Sequence, residues 1–395
     1  MLEGSSPRFQ CGRRAFIRQS AAFALGAPLA LAGLEALADQ TNPTLPAGAL
    51  SQARVAIVPC LGYGAEVRPA LQRAFDLIGG VDKLVRNKTV AIKINLTGTD
   101  FKPYLGRPVG ETYMTHSATI MALLSLLFQA GASRVRLVES TNSQEELAAS
   151  LAAAGWDVKA MGALGRVEYE NTRNLGRGKA YARLPVPPGG YMFTSFDLNH
   201  SYQDTDVLIS LAKLKRHLTA GVTLSMKNMF GITPNSLYGG EAGSERATEG
   251  RTPLHSPAGY EKLALPGIKA GAAPSDPFSR VPRIVADLCG ARPIDLAIID
   301  GISAMTGGEG PWCDQAAAVQ LITPGIVVVG LNPVSADAVA AAVMGYNPRA
   351  ARGTHPFEHC DNTLLLAEQA GLGTADLAQI DVRGLPVDKA RCAYG

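Results

Sequence analysis

Residues 207–240 carry Lys213, Lys215, Arg216, His217 and Lys227 and not one Asp or Glu. Lysines crowded without acids are costly inside a fold, because like charges repel and each loses hydration. A bound anion offsets that cost. The chemistry such residues suit is the capture of a phosphate, a carboxylate or an anionic cofactor. Lys93 and Asn95, at the end of another apolar run, and Asn228, beside Lys227, add a cation and two amides able to orient a ligand. His217 suits proton transfer, since an unperturbed imidazole titrates near neutrality, and neighbouring lysines should depress its pKa. Glu309 is read as its acid partner or as a metal ligand. Asp300, Glu309 and Asp337 are the carboxylates that could instead pair with the lysines or hold a hard metal ion against the anion.

These residues need a scaffold that brings them together. Val55 to Pro59, Thr89 to Asn95, Asp206 to Leu211, Asp295 to Asp300 and Ile326 to Gly330 are short, mostly apolar runs, as buried strands require, and Arg134 to Glu139 reads as a strand too. Helix-forming stretches alternate with them: 115–130 with Ser117 as cap, 144–154, a helix from Ser335 to Met344 capped by Ser335, and His355 to Ala370. This alternation predicts an α/β fold with a mostly parallel central sheet, flanking helices and a long loop insertion. Residues 181–198, rich in proline and paired glycines, read as an edge hairpin. Tyr238 to Pro277 is the insertion, a lid or a plain surface excursion.

Ligands in open α/β sheets bind beyond the carboxyl ends of the strands. Lys93 and Asn95 end one strand, Lys213, Lys215 and His217 follow a second, and Asp300 closes a third. Asn332 and Asp337 follow a fourth. If all run parallel, these groups share one rim, with backbone N–H groups of the Gly307–Gly310 loop completing an anion cradle. The plainer readings are a solvated lysine loop, a glycine turn and an Asp337 that supports a helix N-terminus. No G-x-G-x-x-G, P-loop or G-x-S-x-G pattern is present in the chain. His355 and His359, four apart and next to Cys360, would share a helix face as metal ligands or serve structure alone.

The bulk numbers restrict the class. The chain has 395 residues, 47% of them hydrophobic, and a formal charge of +3. That suffices for a large core and lacks the basic excess of a nucleic-acid binder. Arg13-Arg14-Ala15-Phe16-Ile17-Arg18, a charge-free run to Leu34 and Ala36-Leu37-Ala38 form a twin-arginine export signal by their order. The expected divisions are a signal peptide at 1–38, a linker at 39–51 and one domain at 52–395. The expected location is the periplasm, with the export machinery as a partner and no membrane span after cleavage. The cysteine spacings predict no iron–sulfur cluster and no disulfide framework, although one pair could bridge.

The pieces "AIKINL" (91–96), "LAKLKRHLTAGVTLSMKNMFGITP" (211–234), "IIDGISAMTGGEGP" (298–311) and "GLNPVSADAVAAAVMG" (330–345) resemble the family known as domain of unknown function 362. The resemblance implies that Lys215 and His217 form its lysine–x–histidine element. It places Thr223, Lys227 and Asn228 in its Thr-x-x-x-Lys-Asn element, Gly310 and Pro311 in its turn, and Asp337 at its strand-to-helix acid. The ferredoxin-like cysteine cluster of some relatives is missing, and Ile94 stands where the family's first motif has proline.

The expected site therefore has His217, Lys227 and Glu309 as catalytic groups. Lys93, Asn95, Lys213, Lys215, Thr223, Asn228, Gly310 and Asp337 are its ligand-binding groups. The reading is an exported enzyme for an anionic small molecule, of unnamed reaction and cofactor. The alternatives are a non-catalytic periplasmic binding protein and an accessory protein that helps mature a redox enzyme.

Overall fold

Eight strands pair into one sheet. In chain order they are β1 (Arg54–Pro59), β2 (Thr89–Lys93), β3 (Arg134–Glu139), β4 (Val167–Asn171), β5 (Val207–Lys213), β6 (Leu296–Gly301), β7 (Ile326–Gly330) and β8 (Asp381–Gly384). Their spatial order is β8-β1-β7-β6-β5-β2-β3-β4. The computed structural model describes residues 53–187, 189–313 and 319–394. The described residues all fall within one compact unit. The expected signal peptide at 1–38 and linker at 39–51 lie outside the described residues.

The sheet is parallel from β6 through β5, β2 and β3 to β4, and β8 is parallel to β1. Only β7 is reversed, antiparallel to both β1 and β6. This corrects one expectation. Asn332 and the start of the helix carrying Asp337 follow β7, so they leave from the opposite rim to Lys93 and Lys213.

Side chains alternate across the sheet. Ala91, Leu208 and Ile299 join the core beneath α4 (Leu224–Asn228), α5 (Pro277–Ala291), α6 (Pro333–Val343) and α7 (Thr363–Gln369). Ile92, Ile209, Leu211 and Ile298 join the other core, beneath α1 (Val67–Ile78), α2 (Ser117–Gln129) and α3 (Leu147–Ala153). The register sets Asp300 opposite Lys213 and Lys93 opposite Ser210.

Several local expectations shift. His116, not Ser117, caps α2, its Nδ1 accepting from Ala118 N at 3.0 Å. Asn332, not Ser335, caps α6, accepting from Ser335 N at 3.0 Å, with Pro333 as the first helical residue. The helix expected from His355 begins only at Thr363, capped by Asn362. His355 and His359 therefore sit in the turn before it, not on one helix face. Residues 182–185 and 195–198 pair as their own two-stranded ribbon, not on the main sheet. The 238–277 segment is not a plain loop. It holds a helical turn at Thr252–His255 and buries Ala247, Leu254 and Leu265. Among the described residues, no helix is long and apolar enough to cross a membrane.

Candidate functional site

Lys93, Lys213, Lys215 and Lys227 are all buried, yet their surroundings differ. Lys93 leaves β2 on the α4 side and forms an ion pair with Glu139 Oε1 at 2.7 Å. Its Nζ also donates to Ile94 O at 2.7 Å and Asn228 Oδ1 at 3.2 Å. Burial pulls the amine down and pushes the Glu139 carboxyl up, each opposed by the other's charge. Asn95 Nδ2 donates to the same Asn228 Oδ1 at 3.2 Å. Lys93 is thus already neutralised within the protein.

Lys213 is two residues beyond Leu211 and shares its side of the sheet, the α2 side. Its Nζ donates to Tyr63 Oη and Gly110 O, both at 2.5 Å, and faces Asp300 Oδ2 at 3.4 Å. Asp300 also accepts from Tyr63 Oη at 2.9 Å and from Thr119 Oγ1 of α2 at 3.1 Å. Tyr63 stacks on His116 with ring centroids 3.7 Å apart. The sheet therefore separates Lys213 and Asp300 from the Lys93 group, against the expectation of a single cradle.

Lys215 lies past the end of β5, at the rim. Its Nζ donates to Tyr113 O at 2.5 Å, Glu309 O at 3.1 Å and Thr97 Oγ1 at 3.2 Å, and to no carboxylate among the described residues. Burial lowers its pKa to about 7, with the Glu309 charge opposing. Lys227 has still less support. Its Nζ sits 4.4 Å from the centre of the Phe230 ring and has no carboxylate in contact among the described residues. Burial drops it to about 7, partly offset by the Glu309 charge and reinforced by Arg251 and Lys93.

His217 is half-buried, its Nδ1 accepting from Thr219 N at 3.1 Å. Burial lowers its pKa well below the usual value, and the charges of Lys227 and Lys215 push the same way. Glu309 is pinned at both oxygens: Oε2 accepts from Leu218 N at 2.9 Å and Oε1 from Trp312 Nε1 at 3.1 Å. Gly310 permits that clamp, since a Cβ there would lie 2.4 Å from the Trp312 ring. Thr223 ties down the turn between the two lysines, its Oγ1 donating to Arg216 O at 3.3 Å and its N to Lys215 O at 2.9 Å.

Asp337 supports α4 and does not face the lysines. Its Oδ1 accepts from Ser225 N at 2.9 Å and Ser225 Oγ at 2.5 Å, and its Oδ2 from Met226 N at 2.8 Å. Burial still raises its pKa to about 7 against these bonds. The bonds secure an unusual turn: Leu224, at the head of α4, has φ of 44°. A left-handed leucine costs on the order of 1–3 kcal/mol and persists only where its surroundings enforce it. The short helix carrying Lys227 and Asn228 is thus held in place from the far rim.

Asp300, Glu309 and Asp337 do not converge. Among the described residues, no three His, Cys, Asp or Glu side chains form a metal-ligand group. His355 is bonded to Glu358, and His359 sits against the Phe278 ring. Cys60, Cys289, Cys313, Cys360 and Cys392 are all free thiols, and burial pushes Cys313, near Glu309, up to about 12.

Four contributors escaped the sequence reading. Glu139 ends β3, and an acid there was a readable sign of a partner for Lys93. Tyr63 follows β1 and offers no such sign. Arg251 and His255 come from the 238–277 segment. Arg251 is held by Thr233 O at 2.8 Å and Gly231 O at 3.2 Å. His255 donates from Nδ1 to Arg251 O at 2.9 Å and packs edge-on to Phe230. Burial, then the Lys227 charge, lowers its pKa to about 4. A surface depression of about 510 Å³ near Tyr346, Val387 and Arg391 includes none of the four lysines.

A family model described as Domain of unknown function (DUF362) matches residues 90–342, from β2 to the last turn of α6. A thylakoid-associated protein of Synechocystis sp. (strain ATCC 27184 / PCC 6803 / Kazusa) is similar to this chain. The two are 26% identical over 178 residues, which cover 42% of this chain and 46% of that protein. The match thus spans about half the length of that curated relative.

Proposed function

This chain belongs to the DUF362 family, and from that footing we propose that it binds an anionic small molecule at Lys215 and Lys227 and acts on it as an enzyme. One observation carries this reading: two buried ammonium groups have no carboxylate in contact among the described residues. Lys93 and Lys213 have such partners and hold the frame. Asn228 orients Lys93 and Asn95, and Arg251, still charged near neutrality, adds cationic character from the covering segment, with His255 beside it as a neutral imidazole. Lys227 near neutrality and a strongly depressed His217 form a pair of proton-carrying groups whose environments set them apart, a pattern suited to acid–base chemistry. Glu309, close enough to offset both lysines, acts as their acid partner. Residues 238–277 serve as the cover of the site.

Sulfate tests the site without titrating itself. Its affinity should fall as pH rises from 7 to 9, because Lys215 and Lys227 lose protons there, approaching tenfold per pH unit for each deprotonated amine. Near pH 8, binding should draw protons from solution, read by calorimetry in buffers of different ionisation enthalpy. Affinity that is flat over this range, without proton uptake, contradicts the assignment.

Export by the twin-arginine route remains part of this proposal, resting on Arg13-Arg14 and the apolar run after them. Fusing residues 1–50 to a reporter should send it to the periplasm, and changing both arginines to lysine should retain it in the cytoplasm. A reporter that stays inside with the native pair would remove this part.

A further inference from the structure

Asn228 sits among partners that fix which way its amide points. Its Oδ1 faces Lys93 Nζ, which only donates, at 3.2 Å, and its Nδ2 faces Lys93 O, which only accepts, at 3.2 Å. Nδ2 also donates to Ser210 Oγ at 3.1 Å, whose own hydrogen goes to Ser225 O. Turning the amide over would set donor against donor and acceptor against acceptor. With Asn228 fixed, Asn95 must give Nδ2 to Asn228 Oδ1, leaving Asn95 Oδ1 pointing elsewhere. That oxygen is buried and has no donor among the described protein groups, on a residue only 6% exposed. It sits on the strand exit between Lys93 and Thr97, the hydroxyl partner of Lys215, beside the amide that follows Lys227. A bare oxyanion cannot satisfy such an acceptor. A ligand that also brings a hydrogen can.

We propose that Asn95 Oδ1 is a specificity-determining acceptor that selects anions carrying a hydrogen-bond donor, either a protonated oxyanion or a hydroxyl next to the charge, over equally charged anions without one. The inference rests on the anion-binding reading above. A buried acceptor left unmet in the complex costs enough to lower affinity on the order of tenfold. A site built around such a group rejects ligands that cannot satisfy it.

The test compares inorganic phosphate, sulfate and methyl phosphate by titration calorimetry at pH 8. All three are then mainly dianions, and only phosphate has a hydrogen to give. The wild-type protein should bind phosphate about tenfold more tightly than either of the others. Asn95→Leu, with folding checked by circular dichroism, should bring the phosphate-to-sulfate ratio to about one through loss of phosphate affinity. Equal wild-type affinities, as when a resident water satisfies Asn95, overturn the inference and leave the anion site standing. A preference that survives in Asn95→Leu overturns the role of Asn95. Binding of none of the three overturns the anion reading and this inference with it. If the variant fails to fold, the wild-type comparison of phosphate with methyl phosphate and sulfate decides alone.

Discussion

Lys227→Met should weaken sulfate binding by about 10- to 100-fold and, without any anion, make the protein more stable. The two effects have one origin. A charge-assisted bond from an ammonium to an oxyanion contributes roughly 1.5–3 kcal/mol, and methionine cannot form it. The same ammonium is a liability in the empty site, buried against Phe230 with only partial compensation from Glu309. Replacing it by an apolar chain of similar length should recover on the order of 1–4 kcal/mol.

The pH dependence gives a second signature of that residue. The folded-state pKa of Lys227 lies near 7, below its unfolded value. Between the two values the unfolded chain holds more protons, so stability of the unliganded protein should rise with pH from 7. Each such lysine contributes up to about 1.4 kcal/mol per pH unit. Above about pH 9 buried thiols and phenols reverse the trend, since their folded pKa values are raised and unfolding releases their protons. Lys227→Met should remove its share of the rise and leave that of Lys215. Denaturant unfolding at pH 7, 8 and 9 measures this. A variant that is less stable at pH 7 and binds sulfate normally would assign Lys227 to the frame.

Lys93→Met should behave in the opposite way, losing about 3–5 kcal/mol of stability. Its Nζ is 2.7 Å from Glu139, and both side chains are almost wholly buried. Removing the cation leaves a carboxylate whose remaining bonds among the described residues come from Leu96 N and Ser140 N, and takes one donor from Asn228. Deleting both charges together, as in Lys93→Met with Glu139→Leu, should restore most of the loss. Urea unfolding of the two single variants and the double variant isolates the coupling. A Lys93→Met protein as stable as the wild type would show that the pair contributes little, and that Lys93 belongs with Lys227.

Some of this was readable in the chain. The segments at 89–93, 134–139, 207–213 and 296–301 can be read as strands from their β-favouring residues, and they are parallel neighbours. The run at 326–330 reads just as clearly as a strand, but an apolar run carries no arrow. Its reversal, which moves Asn332 and the start of α6 to the other rim, depends on pairing with β1 and β6. The helix expected over 355–370 failed for a related reason: turn-forming residues, capped by Asn362, postpone it to Thr363.

The candidate site shows the same limit. Residue type and local spacing along 207–240 were enough to mark an excess of positive charge needing compensation, because a stretch without acids can be read directly. Which lysines are compensated was not local information. Lys93 is answered by Glu139, 46 positions away, and Lys213 by Asp300, 87 positions away. The alternation of side chains then sends Lys93 and Lys213 to opposite faces of the sheet. Only the assembled sheet, with α4 braced by Asp337, leaves Lys215 and Lys227 without a carboxylate and the Asn95 oxygen without a donor among the described residues, since desolvation and long-range pairing exist only once distant segments pack.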